Sequence, residues 1–409
     1  MKNKVYNIDS RKISKVLSDD IKIQTTITSP PYFDMKDYGV DGQVGYGQKY
    51  DDYLLDLRNI FGQVFQYTKK DGTLWIIIDT FKRNHTIVPL PFDLASKLQQ
   101  IGWLLQDIII WKKDKTVPWS GKGVTQRKFE YILLFSKSPN YKYNKDKVRV
   151  FDTRQLKKWW IKYPERYNPR GKALDEIWEY PIPVQGSWGN KYIRHFCPLP
   201  KDMVANMIQL STDEEDIVFD PFAGSGTVLS QSAYMNRKYI GFELNPEYIQ
   251  MFNSYLENTL TVGKNEYKKF LSNRGQDYFE NQILNLRALK YGRILVKKLQ
   301  EQDDIHTQVL VERKKNLINK NIVKYTFSSI DMDNVDIKDL ISKIVNKAPL
   351  SKFEIEPQFV FTKCFPKQDN LYCYSITNSY SYMRNISYND HRVRILSPIK
   401  VDFKESDYE

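Results

Sequence analysis

Two short segments, far apart in the chain, carry residue types that could do chemistry. The first is ITSPPYFD, in which Ser29, Pro30, Pro31 and Tyr32 follow a β-branched run. Proline fixes φ near about −65° and holds the residue before it out of the helical region, so the chain must leave the strand in one rigid turn. This turn carries a hydroxyl group on one side and an aromatic ring on the other. A purely structural turn is the alternative interpretation.

The second segment, DPFAGSGT, runs from Asp220 to Thr227 between a predicted strand and a predicted helix. Its glycines allow a sharp turn, and the helix N-terminus offers free N–H groups. The next strand ends at Glu243, whose carboxylate can accept both hydroxyls of a ribose. Leu229 stands where the dinucleotide fingerprint has its third glycine. The segment therefore indicates a nucleoside cofactor without phosphates, commonly S-adenosylmethionine, and a plain strand-turn-helix corner is the alternative.

The elements that must position these segments alternate along the first part of the chain. Apolar or β-branched runs predict strands over 22–28, 72–79, 104–112, 129–137, 216–220 and 238–244. Helical periodicity predicts helices over 50–70, 91–101, 199–210 and 226–236. Strands that alternate with helices predict an α/β fold with a mostly parallel sheet.

Two changes of composition predict the domain organisation. Residues 139–189 mix lysine and arginine with aromatic side chains and show no clean period. Past residue 260, the stretch 262–276 resembles a linker, 279–300 reads as a basic amphipathic helix, and the remainder mixes short strands with polar loops. We therefore predict a catalytic domain over 1–138 and 190–260, an insertion over 139–189, and an additional α+β domain over 261–409.

The overall charge is strongly positive. The 409 residues include 62 lysines and arginines against 49 acidic residues, which gives a formal net charge of +13. This balance favours a nucleic-acid partner, with a merely basic enzyme surface as the alternative. Three cysteines without paired spacing argue against a disulfide framework or a cysteine-rich zinc site. No apolar run is long enough to span a bilayer, so we expect a soluble cytoplasmic protein without a membrane partner.

Together, the segments resemble a known family. An early TSPPY and a late DPFAGSGT are similar to the catalytic and cofactor motifs of amino-methylating DNA methyltransferases, in the order of the class called beta. YNIDS, WKKDKTVP, KFEYILLFSKS, HFCPLP and GFELNPEY add to the resemblance, which covers about residues 5–258. It implies a Rossmann-like S-adenosylmethionine-dependent methyltransferase domain, an inserted target-recognition region, double-stranded DNA as substrate, and a restriction enzyme as the cellular counterpart.

The resemblance also assigns catalytic roles. The exocyclic amines of cytosine and adenine are poor nucleophiles because their lone pair is delocalised into the ring. Acceptance of both amine hydrogens by Ser29 Oγ and the Pro30 carbonyl would restore that lone pair. Pro31 would keep the turn rigid, and Tyr32 would stack on a base rotated out of the duplex. Methyl transfer would then be a direct in-line displacement that depends mainly on orientation.

The cofactor contacts follow from the second segment and the resemblance. For Asp9, the resemblance implies a hydrogen bond to the adenine of the cofactor, but NIDS departs from the common Gly-Asp pairing, and a helix cap is an equal alternative. His195 and Cys197 are either packing residues or part of the pocket wall. The predicted cofactor-binding residues are Asp9, Asp220, Phe222, Gly224, Ser225, Gly226, Thr227 and Glu243.

The first residue of the catalytic tetrapeptide bears on the target base. Serine at this position is commoner among cytosine-N4 enzymes of the family, and aspartate among adenine-N6 enzymes. A neutral hydroxyl accepts from the amine without repelling cytosine N3, so Ser29 favours cytosine N4, with adenine N6 as the alternative. Methylation at cytosine C5 needs a cysteine that usually follows a proline, whereas Cys197 precedes Pro198.

Target recognition is expected from the basic insertion. Its lysines and arginines, Lys142 among them, can neutralise phosphates. A few of these cations, together with Asn168 or Gln185, could read base edges. The paired tryptophans could stack on bases or simply pack. The C-terminal region could widen the DNA footprint, form a homodimer contact or carry a second activity. For the protein as a whole, the alternative functions are an RNA or protein methyltransferase and a nucleic-acid-binding protein without catalytic activity. The predicted DNA contacts are Arg149, Lys157, Lys158, Trp159, Trp160, Arg166, Asn168 and Arg170.

Overall fold

The chain forms two compact units in a computed structural model. The first unit comprises Met1–Val150 with Ala173–Arg274, and the second comprises Phe151–Lys172 with Gly275–Glu409. An eight-stranded sheet and a short two-stranded sheet belong to the first unit, and a four-stranded sheet to the second. The structure describes residues 2–114, 125–150, 163–183, 199–272, 276–300, 308–315, 321–329, 356–367 and 370–378.

Strands and helices alternate through the first unit, which confirms the predicted α/β pattern. Its helices are α1 (Tyr50–Tyr67), α2 (Leu90–Gln99), α3 (Lys201–Ser211), α4 (Thr227–Tyr234) and α5 (Pro246–Ser272). No helix in the described part of the chain combines the length and apolar character needed to cross a bilayer. The strands are β1 (Lys4–Asn7), β2 (Ile23–Thr28), β3 (Thr68–Ile78), β4 (Phe81–Arg83), β5 (Thr86–Val88), β6 (Leu104–Lys112), β7 (Phe129–Ser136), β8 (Ile177–Glu179), β9 (Ile217–Asp220) and β10 (Lys238–Glu243).

The order of the strands creates a crevice at the centre of the large sheet. The order is β1-β10-β9-β2-β3-β7-β6-β8. All pairs from β1 to β3 are parallel, whereas β7 is antiparallel to both of its neighbours, so the predicted mostly parallel sheet is confirmed. From β2 the chain continues to β3, and from β9 it continues to β10 on the opposite side. Ligands of open α/β sheets bind at such a switch point, outside the carboxyl ends of the strands.

Burial on both faces explains the apolar sequence of β3. Successive side chains of a strand point to opposite faces, so a continuous apolar run needs cover on both sides. Ile76 lies in one core cluster with Phe61 of α1, and Trp75 lies in another with Met207 of α3. The indole Nε1 of Trp75 also donates to Ser211 Oγ at 2.7 Å. The two helices therefore hold the central strands from opposite sides.

Helix α5 corrects the prediction of a linker over 262–276. It continues without a break to Ser272. Gly263 faces α4 so closely that a Cβ there would lie 2.5 Å from the Tyr234 ring, and the Tyr234 hydroxyl hydrogen-bonds with Thr259 at 2.7 Å. A glycine inside a polar stretch predicts a break, but here it permits the close approach of two helices. In the described part of 262–276 the linker prediction is wrong.

The second unit confirms the predicted α+β character of the C-terminal region. Helix α6 (Gln276–Gln300) contains the predicted basic helix and begins a few residues earlier. In the four-stranded sheet the strands lie in chain order, with the two central strands parallel and the outer pairs antiparallel. These strands are β11 (Gln308–Lys315), β12 (Asn321–Ser329), β13 (Glu356–Lys367) and β14 (Asn370–Asn378).

A glycine at the start of β3 should be sensitive to substitution. The pairing of β2 with β3 shifts register between Ile23 and Thr25. At this point a Cβ on Gly72 would lie 2.5 Å from Thr68 Cγ2 and 2.9 Å from the Gln24 carbonyl oxygen. We expect Gly72→Ala to lower the free energy of unfolding by about 1–3 kcal/mol because a backbone atom cannot easily move away. Urea unfolding followed by tryptophan fluorescence measures the change.

Gly62→Ala is the matched control. Gly62 lies inside α1, where an added Cβ would have only a 4.0 Å contact with Ile101 Cδ1. Alanine in a helix interior is favoured over glycine by about 0.8–1.0 kcal/mol, so this variant should be as stable as the parent or more so. Equal unfolding curves for the two variants would contradict the close approach of β2 and β3 at Gly72.

Candidate functional site

The two segments singled out in the sequence meet at the carboxyl edge of the sheet. The first follows β2, the second follows β9, and these strands are parallel neighbours. The Thr28 hydroxyl donates to Asp220 Oδ1 at 2.7 Å, across a separation of 192 positions in the chain. Both side chains are buried. The sheet therefore brings the proline corner and the glycine loop together, although nothing in their spacing along the chain requires it.

A cavity of about 120 Å³ lies between the two segments. Residues of both segments line it, so a ligand bound there would contact both the proline corner and the glycine loop. Its wall also includes Ser10, Tyr38, Gln43, Leu199 and Tyr248, which the sequence did not single out. The predicted residues that line it are Ser29, Pro31, Asp220, Phe222, Gly224, Ser225, Thr227 and Glu243.

Asp220 is a buried acid whose hydrogen bonds fix the start of the glycine loop. The residue is only 3% exposed, and its Oδ1 also accepts the backbone N–H of Phe222 at 3.0 Å. Burial disfavours the charged form and raises the pKa of Asp220 to about 7. Near neutral pH this carboxyl group therefore changes between protonated and ionised forms inside the site.

The glycine loop has the backbone geometry that its sequence predicts. Gly224 and Gly226 have φ of 51° and 80°, in the left-handed region that side chains disfavour. A Cβ on Gly226 would also overlap the Phe252 ring, at 2.1 Å from Cδ2. Thr227 opens α4, and its buried Oγ1 has no hydrogen-bond partner among the described residues. A buried polar atom without a partner suits a site that receives a polar ligand.

Glu243 closes the opposite side of the cavity from the end of β10. Its Oε2 accepts the Gly224 N–H at 2.7 Å, and its Oε1 accepts the Asn245 N–H at 2.8 Å. Burial raises the pKa of Glu243, and these backbone donors counteract the rise. A carboxylate has about four lone-pair sites, so each oxygen can still accept a hydrogen bond from a ribose hydroxyl.

Asp9 takes the helix-cap role that the sequence left open. Its carboxylate accepts the Arg11 N–H at 2.9 Å at the start of the turn Ser10–Lys15 and forms an ion pair with the Arg11 guanidinium at 2.7 Å. Ser10, not Asp9, lines the cavity, and its hydroxyl donates to the Pro221 carbonyl. A contact of Asp9 with the adenine of a cofactor stays a prediction.

Contacts with α1 hold the proline corner in place. Pro30 is buried, and the Pro31 carbonyl oxygen accepts the Tyr53 hydroxyl of α1 at 2.6 Å. Phe33, at φ 55°, turns its buried ring against Tyr53 with ring centroids 5.3 Å apart. The corner is therefore fixed by α1 and not by the two prolines alone.

Tyr32 is oriented by a partly buried ion pair that the sequence analysis missed. Its hydroxyl donates to Glu130 Oε2 at 2.8 Å and accepts from Ser29 Oγ at 3.4 Å. Glu130 pairs with the Lys113 ammonium, and the side chains of this ion pair are only 14% and 18% exposed. Burial, and then the negative charge of Glu130, raise the pKa of Tyr32 well above its ordinary value. The sequence feature that could have revealed Glu130 is its place as a single acid at the beginning of the apolar strand β7.

The first part of the predicted recognition insertion lies at the opposite edge of the sheet. The ammonium group of Lys142 pairs with Asp216, which directly precedes β9, at 2.9 Å. Arg149 pairs with Asp146 at 2.5 Å, and its side chain is 8% exposed. These cations neutralise carboxylates of the protein itself, which does not favour the phosphate contact predicted for Arg149.

In the second unit, a later part of the insertion lies against α6. Arg287 is 3% exposed; it donates from Nε to the Pro164 carbonyl at 3.0 Å and from Nη2 to the Tyr167 carbonyl at 2.5 Å. Three predicted contacts lie exposed on this supported segment: Arg166, Asn168 and Arg170. The other residues considered from the sequence lie outside the described residues: Lys157, Lys158, Trp159, Trp160, Gln185, His195 and Cys197.

The buried acid Asp220 predicts a specific dependence of stability on pH. Its folded-state pKa of about 7 exceeds the value of 3.8 expected when unfolded. Its contribution to stability is therefore complete below the unfolded value and is lost as the pH rises through the folded one. We expect Asp220→Asn to remove that loss, which is of the order of 1 kcal/mol per pH unit. Urea unfolding of both proteins at several values between pH 5 and 8 measures it.

If the difference between the two proteins in unfolding free energy did not change from pH 5 to pH 8, Asp220 would not titrate in the folded protein in this range. Thr28→Val provides the companion variant. It removes the donor to Oδ1 that favours the ionised form, so the folded pKa should rise further and the loss should extend to higher pH.

Comparison with known proteins agrees with this geometry. Residues 23–254, more than half of the chain, match the model of the DNA methylase family N6_N4_Mtase. The chain is 29% identical over 259 residues to the type II methyltransferase M.Cfr9I of Citrobacter freundii, a match that covers 56% of this chain and 79% of the relative. It is 30% identical over 260 residues to M.XycI of Xanthomonas campestris pv. cyanopsidis, with the same coverage.

Two solved structures are similar to the chain over about two thirds of its length. The PvuII cytosine-N4-specific DNA methyltransferase is 19% identical, with a TM-score of 0.48 over 66% of this chain and 92% of that chain. A putative DNA modification methylase of Thermus thermophilus, TTHA0409, complexed with S-adenosyl-L-methionine, is 22% identical, with a TM-score of 0.44 over 63% and 94%. Because the family model spans the central strands, most of the cavity and both motifs, the chain belongs to the N6/N4 DNA methylase family and is an S-adenosylmethionine-dependent DNA methyltransferase.

Proposed function

We propose that this enzyme methylates the N4 amine of a cytosine rotated out of duplex DNA. The observation that carries the proposal is the neutral hydroxyl of Ser29, which lines one cavity together with the glycine loop and Glu243. The relatives named above are type II methyltransferases, which supports a role in protecting host DNA from a partner restriction enzyme. Methylation of adenine N6 is the second candidate, since that amine could meet the same acceptors.

The cavity residues fit the cofactor of this family. The Glu243 carboxylate would accept the ribose hydroxyls, and the loop at Gly224 lets the backbone come close to the ligand. The Thr227 hydroxyl, buried and without a described partner, would gain one from the ligand. When bound, S-adenosylmethionine supplies an electrophilic methyl group on a positively charged sulfur.

The proline corner would activate the amine. Ser29 Oγ and the Pro30 carbonyl would accept its two hydrogens, so that the nitrogen lone pair is drawn out of conjugation with the ring. The amine nitrogen would then form its bond to the methyl carbon as the bond of that carbon to sulfur breaks, the sulfur would leave as a neutral thioether, and the methylated amine would lose one proton to solvent. Because the Pro31 carbonyl is held by Tyr53, the neighbouring acceptors Ser29 Oγ and the Pro30 carbonyl need not reorganise during the reaction. Preorganised dipoles of this kind lower a reaction barrier.

Tyr32 would provide the surface on which the rotated base stacks. A base inside the duplex cannot reach the methyl group, so the target must leave the stack and be held elsewhere. The hydrogen bond from the Tyr32 hydroxyl to Glu130 fixes the ring beside Ser29 before any base arrives. Glu130 and Lys113 are thus proposed as positioning residues that act through Tyr32.

Identification of the modified nucleoside tests the proposal. The protein is incubated with labelled S-adenosylmethionine and either duplex plasmid DNA or RNA of the same sequence. The nucleic acid is then digested, and the labelled nucleoside is identified by mass spectrometry. We expect label in N4-methylcytosine. Label in N6-methyladenine would overturn the assignment of the base. Label only in RNA of the same sequence, or no label in any nucleic acid, would overturn the proposed substrate.

The positioning role of Glu130 predicts a non-additive pair of variants. Glu130→Gln retains the size but weakens the acceptor for the Tyr32 hydroxyl, and we expect kcat to fall about 10-fold with cofactor affinity unchanged. Tyr32→Phe removes the hydroxyl and should cost about as much. In the double variant the loss should be no larger than in either single one, because both changes remove the same hydrogen bond.

Steady-state kinetics of the parent, the two single variants and the double variant test this coupling, and calorimetry measures their affinity for the cofactor. If the two losses multiplied in the double variant, Glu130 would act independently of Tyr32. A fall in cofactor affinity in Glu130→Gln would place this acid in the cofactor site and not in the base site.

A further inference from the structure

A short β-hairpin leaves the large sheet at the catalytic edge. It consists of β4 and β5, which pair from Phe81 with Val88 to Arg83 with Thr86 and form a separate two-stranded sheet. It begins directly after β3 and Asp79, at the same end of the sheet as the proline corner. Asn84 and His85 form its tip with φ of 49° and 63°. Two positive values define the tight turn that matches the twist of a hairpin, where glycine is usual at the second position.

Two contacts fix this hairpin against the catalytic corner. At its base, the Arg127 guanidinium pairs with Asp79 at 2.8 Å and donates to Thr80 Oγ1 at 2.7 Å. Further along, the buried ring of Phe81 stacks on Phe33 with centroids 5.7 Å apart and planes 27° apart. Phe33 is the residue immediately after Tyr32, so the hairpin has a fixed position beside the proposed base pocket.

The exposed surface of the hairpin is cationic on both of its faces. Phe81 to Val88 reads FKRNHTIV and contains no carboxylate. The Arg83 guanidinium carbon lies 5.1 Å from the centroid of the Phe33 ring, and Lys82 stands opposite Ile87, which is 56% exposed. The exposed polar side chains of the hairpin are Lys82, Arg83, Asn84, His85 and Thr86.

We propose that this hairpin contacts the phosphate backbone of the duplex next to the target base. This inference rests on the proposed function, because a base held beside Tyr32 brings the phosphates of its own strand to the same edge. Lys82 and Arg83 give the hairpin two exposed positive charges that complement a polyanion. The tip residue His85 has a positive φ, and its side chain is exposed to solvent beside these two cations.

The salt dependence of DNA binding tests the hairpin directly. Each cation that neutralises a phosphate contributes about 0.9 to the slope of log affinity against log salt concentration. For the full chain and a fluorescent duplex of random sequence, Lys82→Gln should lower this slope by about 0.9, and Lys82→Gln combined with Arg83→Gln by about 1.8. If all proteins bind equally at 1 M salt, the double variant should bind about 30-fold more weakly at 0.15 M salt.

Lys82→Gln is informative alone because Lys82 lies on the face away from Phe33, so its loss leaves the proline corner intact. Lys70→Gln is the matched control, an exposed lysine at the opposite end of β3, and its slope should equal that of the parent. An unchanged slope for Lys82→Gln in an enzyme that methylates DNA would overturn the hairpin contact alone. A reduced slope in a protein that transfers no methyl group to DNA would support the contact and overturn the proposed function.

Discussion

The buried hydrogen bond from Thr28 to Asp220 is the interaction on which the rest of the site depends. It ties together the ends of β2 and β9, from which the chain departs in opposite directions. Buried polar groups are tolerated only when their hydrogen bonds are made, and a shift of either strand would leave the Thr28 hydroxyl without its acceptor and Asp220 with only the Phe222 N–H as donor. The proline corner and the glycine loop therefore face one cavity because this pair fixes the relative position of their strands.

Acids held in low-dielectric surroundings recur around this edge, and each has a different partner. Asp220 is bonded to Thr28, Glu243 to backbone N–H groups, and Glu130 to Tyr32 and Lys113. Each hydrogen bond holds a backbone turn or an aromatic ring in place before a ligand arrives. Since the proposed chemistry needs orientation and not a strong base, such preorganisation is the main contribution that this chain can make.

The sequence predicted the sheet and both segments well because these depend on local patterns. Strong apolar runs and helical periodicity identify central elements, and the glycines at positive φ belong to the same local pattern. It failed where a contact joins distant parts of the chain. Glu130 reaches Tyr32 only because antiparallel β7 starts at the catalytic edge. The polar stretch 262–276 suggested a linker, whereas Gly263 within it allows the close approach of the Tyr234 ring. The hairpin after Asp79 is too short for its pattern to be recognised.

The central claim is that one cavity presents the cofactor to the proline corner. A crystal structure of the protein with S-adenosylhomocysteine tests this most directly. The account predicts ribose hydroxyls within hydrogen-bond distance of the Glu243 carboxylate and a sulfur atom facing the side of the cavity that Ser29 lines. A ribose bound away from Glu243, or a sulfur atom pointing away from Ser29, would contradict it.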